Sequence, residues 1–279
     1  MQAASHDNQW HENQSHNSGV SYMLPPVEQD IDRLDLQHYI IRYLLRGNYI
    51  APIAKPAHIL DVGCGTGRWV LEMAQEFPQA ELNGIDCSLP LGDAAHFPPN
   101  SHFHAGNVLH GLPFEDSFFD FVHQRHFIFT IPQHRWQSLV NELVRVTRRG
   151  GWVELIEVNP LFQHSGPATE RVLQLVAQAA LQLGLDPAIS QHIGTLLATA
   201  GLKRVGTSTQ LVPLGNWGGQ PGAMALADIL AIAQEMKPQV LAQTQTASNE
   251  FDQLTMRMVE EVEQYYTTFT FHLAYGQRQ

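Results

Sequence analysis

Asp61-Val62-Gly63-Cys64-Gly65-Thr66-Gly67 sets a carboxylate just ahead of alternating glycines, and it is the segment where residue type and spacing most clearly imply chemistry. Glycines so placed let the backbone turn tightly and bring bare amides to a ligand at the start of a helix. The missing bulk implies a ligand. Later in the chain His123-Gln124-Arg125-His126 gathers two imidazoles, an amide and a guanidinium in four consecutive positions. An imidazole near its reference pKa of about 6.5 is suited to accepting a proton at neutral pH. His123 and His126 are the candidate proton acceptors, with Glu157 as a carboxylate that orients an amine or pairs with a cation. His38, His164 and His272 are weaker candidates, because fifteen histidines make coincidence easy.

These groups need elements to hold them. Apolar His58-Ile59-Leu60 enters the glycine turn, and Arg68 to Phe77 follows it with helical periodicity, so strand, turn and helix start succeed one another. Glu81 to Asp86 reads as a second strand ending in an acid, about twenty residues beyond the last glycine, where dinucleotide folds hold ribose hydroxyls. Ser101 to Val108, Phe118 to Val122 and Gly150 to Val158 read as three more strands, the last preceded by an amphipathic helix from about Gln133 to Arg145. Alternation of strand and helix through residues 57 to 160 predicts a parallel α/β sheet independently of any ligand. Ligands of such sheets sit outside the carboxyl ends of the strands, so His123 to His126 are expected to face the site. Beyond the fifth strand, helices are predicted over 168–183, 188–200, 223–243 and 249–266, a strand over 203–214, and a final strand over 267–273.

The acid decides what the turn binds. A nicotinamide fingerprint is spaced G-x-G-x-x-G for a pyrophosphate, whereas here the spacing is G-x-G-x-G beside Asp61, which repels phosphate. A P-loop is excluded because Arg68 and Trp69 stand where Lys and Ser or Thr are required. A carboxylate next to bare amides suits an ammonium beside a sulfonium, which describes S-adenosylmethionine. On these residues the chain resembles the class I S-adenosylmethionine-dependent methyltransferases. A second likeness, to the fungal regulatory and secondary-metabolism methyltransferases often called LaeA-like, is carried by Tyr22-Met23-Leu24-Pro25, Asp32-Arg33-Leu34, Phe121 to Arg125, Gly151 to Glu157 and Tyr266 to Gly276. Together the two likenesses span about residues 21 to 160 and 265 to 276.

The resemblance implies a Rossmann-like, seven-stranded, mostly parallel sheet whose last strand is antiparallel, with a helical lid drawn from the N-terminal segment and C-terminal insertions. It implies a disordered tail over 1–20, a lid segment over 21–56, and a methyltransferase domain over 57–279 with lid helices near 161–185 and 217–266. S-adenosylmethionine, leaving as S-adenosylhomocysteine, is then held by Tyr22, Asp61, Gly63, Gly65, Gly67, Asp86, Asn107, Val108, Gln124 and Arg125. Asp86 takes the ribose, and Asn107 with the Val108 amide takes the adenine. His38, Phe162, Trp217, Tyr265 and Tyr266 are expected to line an aromatic-tolerant acceptor pocket, with Met256 nearby. No metal is implied.

Composition narrows the partners. The formal charge of −11 and the lack of any basic cluster beyond Arg148-Arg149 disfavour a polynucleotide, whose binding depends on neutralising phosphates. No apolar run is long enough to span a membrane, and the start of the chain lacks the layout of a signal peptide, so a cytoplasmic protein without a membrane partner is expected. Cys64 and Cys87 are too few for a disulfide framework. The reading is a methyltransferase acting by in-line displacement on a hydroxyl or amine of a small aromatic or heteroaromatic metabolite, with a homodimer as the one self-association considered. A LaeA-like regulator acting through a protein partner and a non-catalytic donor-binding module are the alternatives.

Overall fold

A computed structural model describes residues 23, 31–90 and 97–279; the tail at 1–20 and Tyr22 lie outside them. The strands are β1 (His58–Val62), β2 (Glu81–Asp86), β3 (Ser101–Ala105), β4 (Phe119–Arg125), β5 (Thr147–Gln163), β6 (Lys203–Pro213) and β7 (Thr268–Gln277). The helices are α1 (Ile31–Leu45), α2 (Arg68–Glu76), α3 (Trp136–Val146), α4 (Pro167–Gln182), α5 (Ile193–Thr199), α6 (Gly219–Thr244) and α7 (Ser248–Gln264). One seven-stranded sheet in the order β3-β2-β1-β4-β5-β7-β6 organises them. Pairing is parallel from β3 to β5, and β7 is inserted antiparallel to both β5 and β6, as the sequence predicts.

The central strands are buried on both faces, as parallel strands covered by helices must be. Ile59, Leu60 and Val62 of β1, and Phe121 and Val122 of β4, are fully enclosed. Three apolar clusters result. Trp69, Val70, Met73 and Ala74 of α2 recur at helical spacing and pack on Ile59 and Phe121. On the opposite face Trp136, Leu139, Val140 and Leu143 of α3 cover Leu60, Val122 and Val153, together with α5. The third cluster joins Ile40 and Ile41 of α1 to α4, α6, α7 and to Phe269, Phe271 and Leu273 of β7. These four helices therefore form a layer beside the carboxyl ends of β4 and β5.

Two strands run longer than their apolar stretches predict. β4 continues through His123, Gln124 and Arg125, and β5 extends to Gln163. β3 stops earlier, at Ala105, and Val108 belongs instead to a short 3-10 turn over 108–110 whose first amides are capped by Asn107. The helix predicted over 223–243 begins earlier, at Gly219. No helix among the described residues is long and apolar enough to cross a membrane.

Candidate active site

At the β1–α2 turn, Gly63, Gly65 and Gly67 all have positive φ, the left-handed region that other residues enter at a cost. A methyl at Gly63 would strike the Phe127 ring at 2.1 Å, and one at Gly67 would strike Phe103 at 2.8 Å. Two of the three glycines therefore make room for the chain's own aromatic rings, which corrects the reading that a ligand alone accounts for the missing bulk. Gly65 differs, since its nearest neighbour would be Leu34 Cδ1 of α1 at 3.6 Å. The Gly65 amide donates to Asp86 Oδ2 at 2.9 Å, which places the acid at the end of β2 against the turn. Burial raises the Asp86 pKa, with the amide of Gly65 working the other way. Helix α2 starts at Gly67 without a side-chain cap, the arrangement that leaves first-turn amides to an external anion.

Helix α1 is lashed to this turn by charge. Asp35 accepts from Thr66 Oγ1 at 2.7 Å and from Arg68 Nη2 at 2.6 Å. His38 Nδ1 accepts from Arg125 Nη2 at 3.0 Å, while Glu72 lies 3.3 Å from its other ring nitrogen and pairs with Arg42. Burial, then the Arg125 charge, pushes the His38 pKa down to about 2, so the ring is a neutral acceptor at any working pH. His38 thus anchors the guanidinium rather than lining an acceptor pocket.

Because β4 runs on to Arg125, His123 and Gln124 sit inside the sheet rather than at its mouth. His123 is 0% exposed, stacks flat on Trp69 at 4.2 Å, and holds Asp61 Oδ1 at 2.8 Å through Nδ1. It cannot meet a substrate, which corrects its assignment as a proton acceptor. Asp61 is accordingly a buried carboxylate with a fixed imidazole partner. Gln124 turns to the other side, its amide nitrogen 3.5 Å from Glu157 Oε1.

His126 is the residue at the mouth. It has φ 62, its backbone amide closes the ladder onto Ile156, and its ring meets the edge of Phe271 at 5.6 Å. Its Nε2 is buried and has no hydrogen-bond partner. Burial, then the Arg125 and Arg33 charges, drives its pKa well below the usual value, so it carries a free lone pair at neutral pH. Glu157 does not reach outward. Its two oxygens accept the amides of Phe127 at 2.9 Å and Ile128 at 3.1 Å, so it pins the turn that follows His126, a positioning role in place of the catalytic one expected. Burial raises its pKa to about 8.

The expected aromatic pocket does not assemble. Phe162 packs on Phe269, whereas Trp217 meets the edge of Tyr266 on the outer surface, where Tyr265 and Tyr266 are exposed, as is Met256. Glu263 holds the amides of Asn216 and Trp217 in place. The groups found near His126 instead are Phe271 and Arg33, the latter paired across the α1–α6 contact with Asp228 and Glu235. Gln37 also donates to Asp228. The polar interruptions of the α1 stripe, Arg33 and Asp35, were the sequence signal for these contacts; nothing in the sequence marked Phe103 or Phe127.

Comparison with known proteins finds methyltransferases. A model described as a methyltransferase domain matches residues 59–151. The N-methyltransferase sirN of Leptosphaeria maculans is 27% identical over 270 residues, covering 92% of this chain and 95% of that protein. The secondary metabolism regulator laeA of Aspergillus fumigatus is 30% identical over 207 residues, covering 70% of this chain and 54% of its own length, so this chain spans about half of it. Among solved structures, a putative sarcosine dimethylglycine methyltransferase from Galdieria sulphuraria superposes with a TM-score of 0.51 at 13% identity, covering 98% of this chain and 99% of that one. That likeness concerns the fold.

Proposed function

We propose that this chain, which is similar to the S-adenosylmethionine-dependent methyltransferases, is an enzyme of that class whose acceptor is an amine nitrogen of a small aromatic or heteroaromatic metabolite. The residues present fit the donor. Gly65 offers an open left-handed position over an uncapped helix start, Asp86 stands at the ribose position, and Asp61 and Arg125 supply one charge of each sign for an amino-acid group. Asn107 shapes the turn at Val108 that would wall the adenine. When bound, S-adenosylmethionine supplies an already activated methyl carbon.

The chain's task is then alignment and proton removal. Positioning of this kind contributes roughly 7 to 11 kcal/mol in favourable intramolecular cases. The donor would supply the methyl group to the acceptor nitrogen and leave as the neutral thioether, and His126 Nε2 would take the proton that the nitrogen releases. Glu157 fixes the turn from which His126 projects, and Phe271 gives an apolar wall against which an aromatic ring packs. The helices α1, α4, α6 and α7 act as the lid.

The observation that carries this reading is the buried, partnerless His126 Nε2 at the end of β4. A base this weak cannot deprotonate a phenol effectively, but it can take the proton of a freshly methylated aryl ammonium, which is itself acidic. The full-length likeness to sirN, and to the N-methyltransferase tcpN of Claviceps purpurea, supports the same atom. Incubation with methyl-labelled donor and a panel of aromatic amines, phenols and cell protein tests it. Label on an amine supports the proposal; label on a phenol moves the acceptor to oxygen, label on a polypeptide favours a regulatory role, and no transfer despite donor binding overturns catalysis.

A further inference from the structure

Strands β1, β4 and β5 bring Asp61, His123 and Glu154 to one level, since Asp61 is the register partner of His123 and His123 that of Glu154. All three side chains are buried. His123 Nδ1 lies 2.8 Å from Asp61 Oδ1, and its other ring nitrogen lies 3.9 Å from Glu154 Oε1. Those last two atoms are buried and have no hydrogen-bond partner, the gap between them being longer than a hydrogen bond. Glu154 Oε2 accepts the amides of Ile50 at 2.8 Å and Ala51 at 2.6 Å, in the segment that joins α1 to β1. Trp69, stacked within 5° of parallel, keeps the imidazole from turning away.

A lone pair aimed at a carboxylate oxygen in a dry layer is unfavourable, and one proton between them removes the conflict. We propose that Glu154 and His123 are positioning residues that share this proton in a buried relay, Glu154 Oε1–H to His123 Nε2 and His123 Nδ1–H to Asp61. The relay holds the Asp61 carboxylate as the anchor for the donor ammonium and ties it to the root of α1. This rests on the reading of Asp61 given above. With its proton the trio carries one negative charge wherever the proton sits; without it, two.

Burial pushes the Glu154 pKa up to about 7 and lowers that of His123, both directions that leave the proton on the carboxylate. The other titratable or charged groups facing the relay are Arg125 and His126 at the end of β4, His38 on α1, Cys64 in the glycine turn, Asp86 of β2, Tyr49 in the linking segment and Tyr275 of β7, the register partner of Glu154, with Glu72 of α2 beyond Arg125. None offers an alternative donor within reach of Glu154 Oε1 among the described residues.

Two measurements test the relay. In the ligand-free protein at pH 6, histidine ring-nitrogen NMR should show His123 as the Nδ1–H tautomer; an Nε2–H tautomer overturns the proposal. In calorimetry with S-adenosylhomocysteine between pH 5.5 and 8.5, affinity should weaken about tenfold per pH unit above an inflection near 7, as loss of a single linked proton requires. E154Q should flatten that profile, because a carboxamide donates permanently to Nε2 while still accepting the Ile50 and Ala51 amides, whereas E154A should bind weakly throughout. An E154Q profile with the wild-type inflection overturns the relay. Wild-type binding by D61N overturns the Asp61 anchor itself, a failure the tautomer measurement does not share.

Discussion

Around Gly65 the functional groups lie close together in sequence: the turn, Asp86 and the Asn107 cap fall between β1 and the turn after β3, with only Arg125 of β4 added to them. Around His126 they come from everywhere, Arg33 from α1, Phe271 from β7, Glu157 from β5, with Asp228 and Glu235 of α6 behind Arg33. The donor half is a local backbone device, and the acceptor half is a product of tertiary packing. Local devices leave a mark in sequence, whereas packed ones are written as scattered residues. The same division tells which half tolerates change, because a backbone cradle depends on dihedral angles and an assembled wall depends on side chains brought from distant elements.

The largest expected effect breaks the donor half outright. G65V forces a β-branched residue into φ +53 beneath α1 and should weaken donor binding by at least about 100-fold, roughly 3 kcal/mol, in calorimetry. Unchanged affinity would remove the turn from the donor site. Next, H126A should lower kcat by about 10²- to 10⁴-fold, the usual range for a lost general base, while donor affinity shifts little. A fall in donor affinity with no loss of kcat would transfer His126 from the acceptor half to the donor half.

The pH dependence of stability sharpens the comparison at its seam. Glu154 and Glu157 have folded-state pKa values raised to about 7 and about 8. Such carboxyls bind protons more tightly folded than unfolded, so their contribution is present in full below the unfolded value near 4.3 and is lost as pH rises through 7 and 8. The melting temperature should therefore fall between pH 5 and 8.5, and E154Q should recover on the order of 3 kcal/mol of that loss at the alkaline end. A flat profile in the wild type would show both carboxyls ionised throughout. The smallest effect is expected at the surface aromatics: W217A and Y266A should leave the acceptor KM within about twofold and stability within about 1 kcal/mol, as exposed substitutions do. A several-fold rise in KM would bring that patch back into the pocket.

How much of this was legible follows from where apolar patterning stops carrying information. The turn, the acid at Asp86 and the parallel α/β sheet could be read because glycine spacing and strand–helix alternation are local. The end of β4 was misjudged at Val122, since the strand's last three residues are polar and pair sideways, His123 to Asp61 and Arg125 to His38. No window of sequence shows a cross-strand partner. Likewise Glu157 and His126 are both titratable groups by a strand end, and only the two amides on Glu157 separate a support from a candidate base. The aromatic residues near the end of α7 looked like pocket lining because composition does not say which side of a helical layer faces inward.

The position of β7 carries one more consequence, for biosynthesis. It follows the other six strands of the sheet in chain order, yet among the described residues it is the only link between β5 and β6, pairing with both. Until Thr268 to Gln277 emerge, the edge of β5 is bare and β6 has no neighbour, so the nascent polypeptide must carry an open hydrogen-bonding margin from the completion of β5 until β7 follows. A nonsense mutation between residues 213 and 268 would thus yield a sheet missing its keystone and a natural client for chaperones, even with every donor-binding residue already translated.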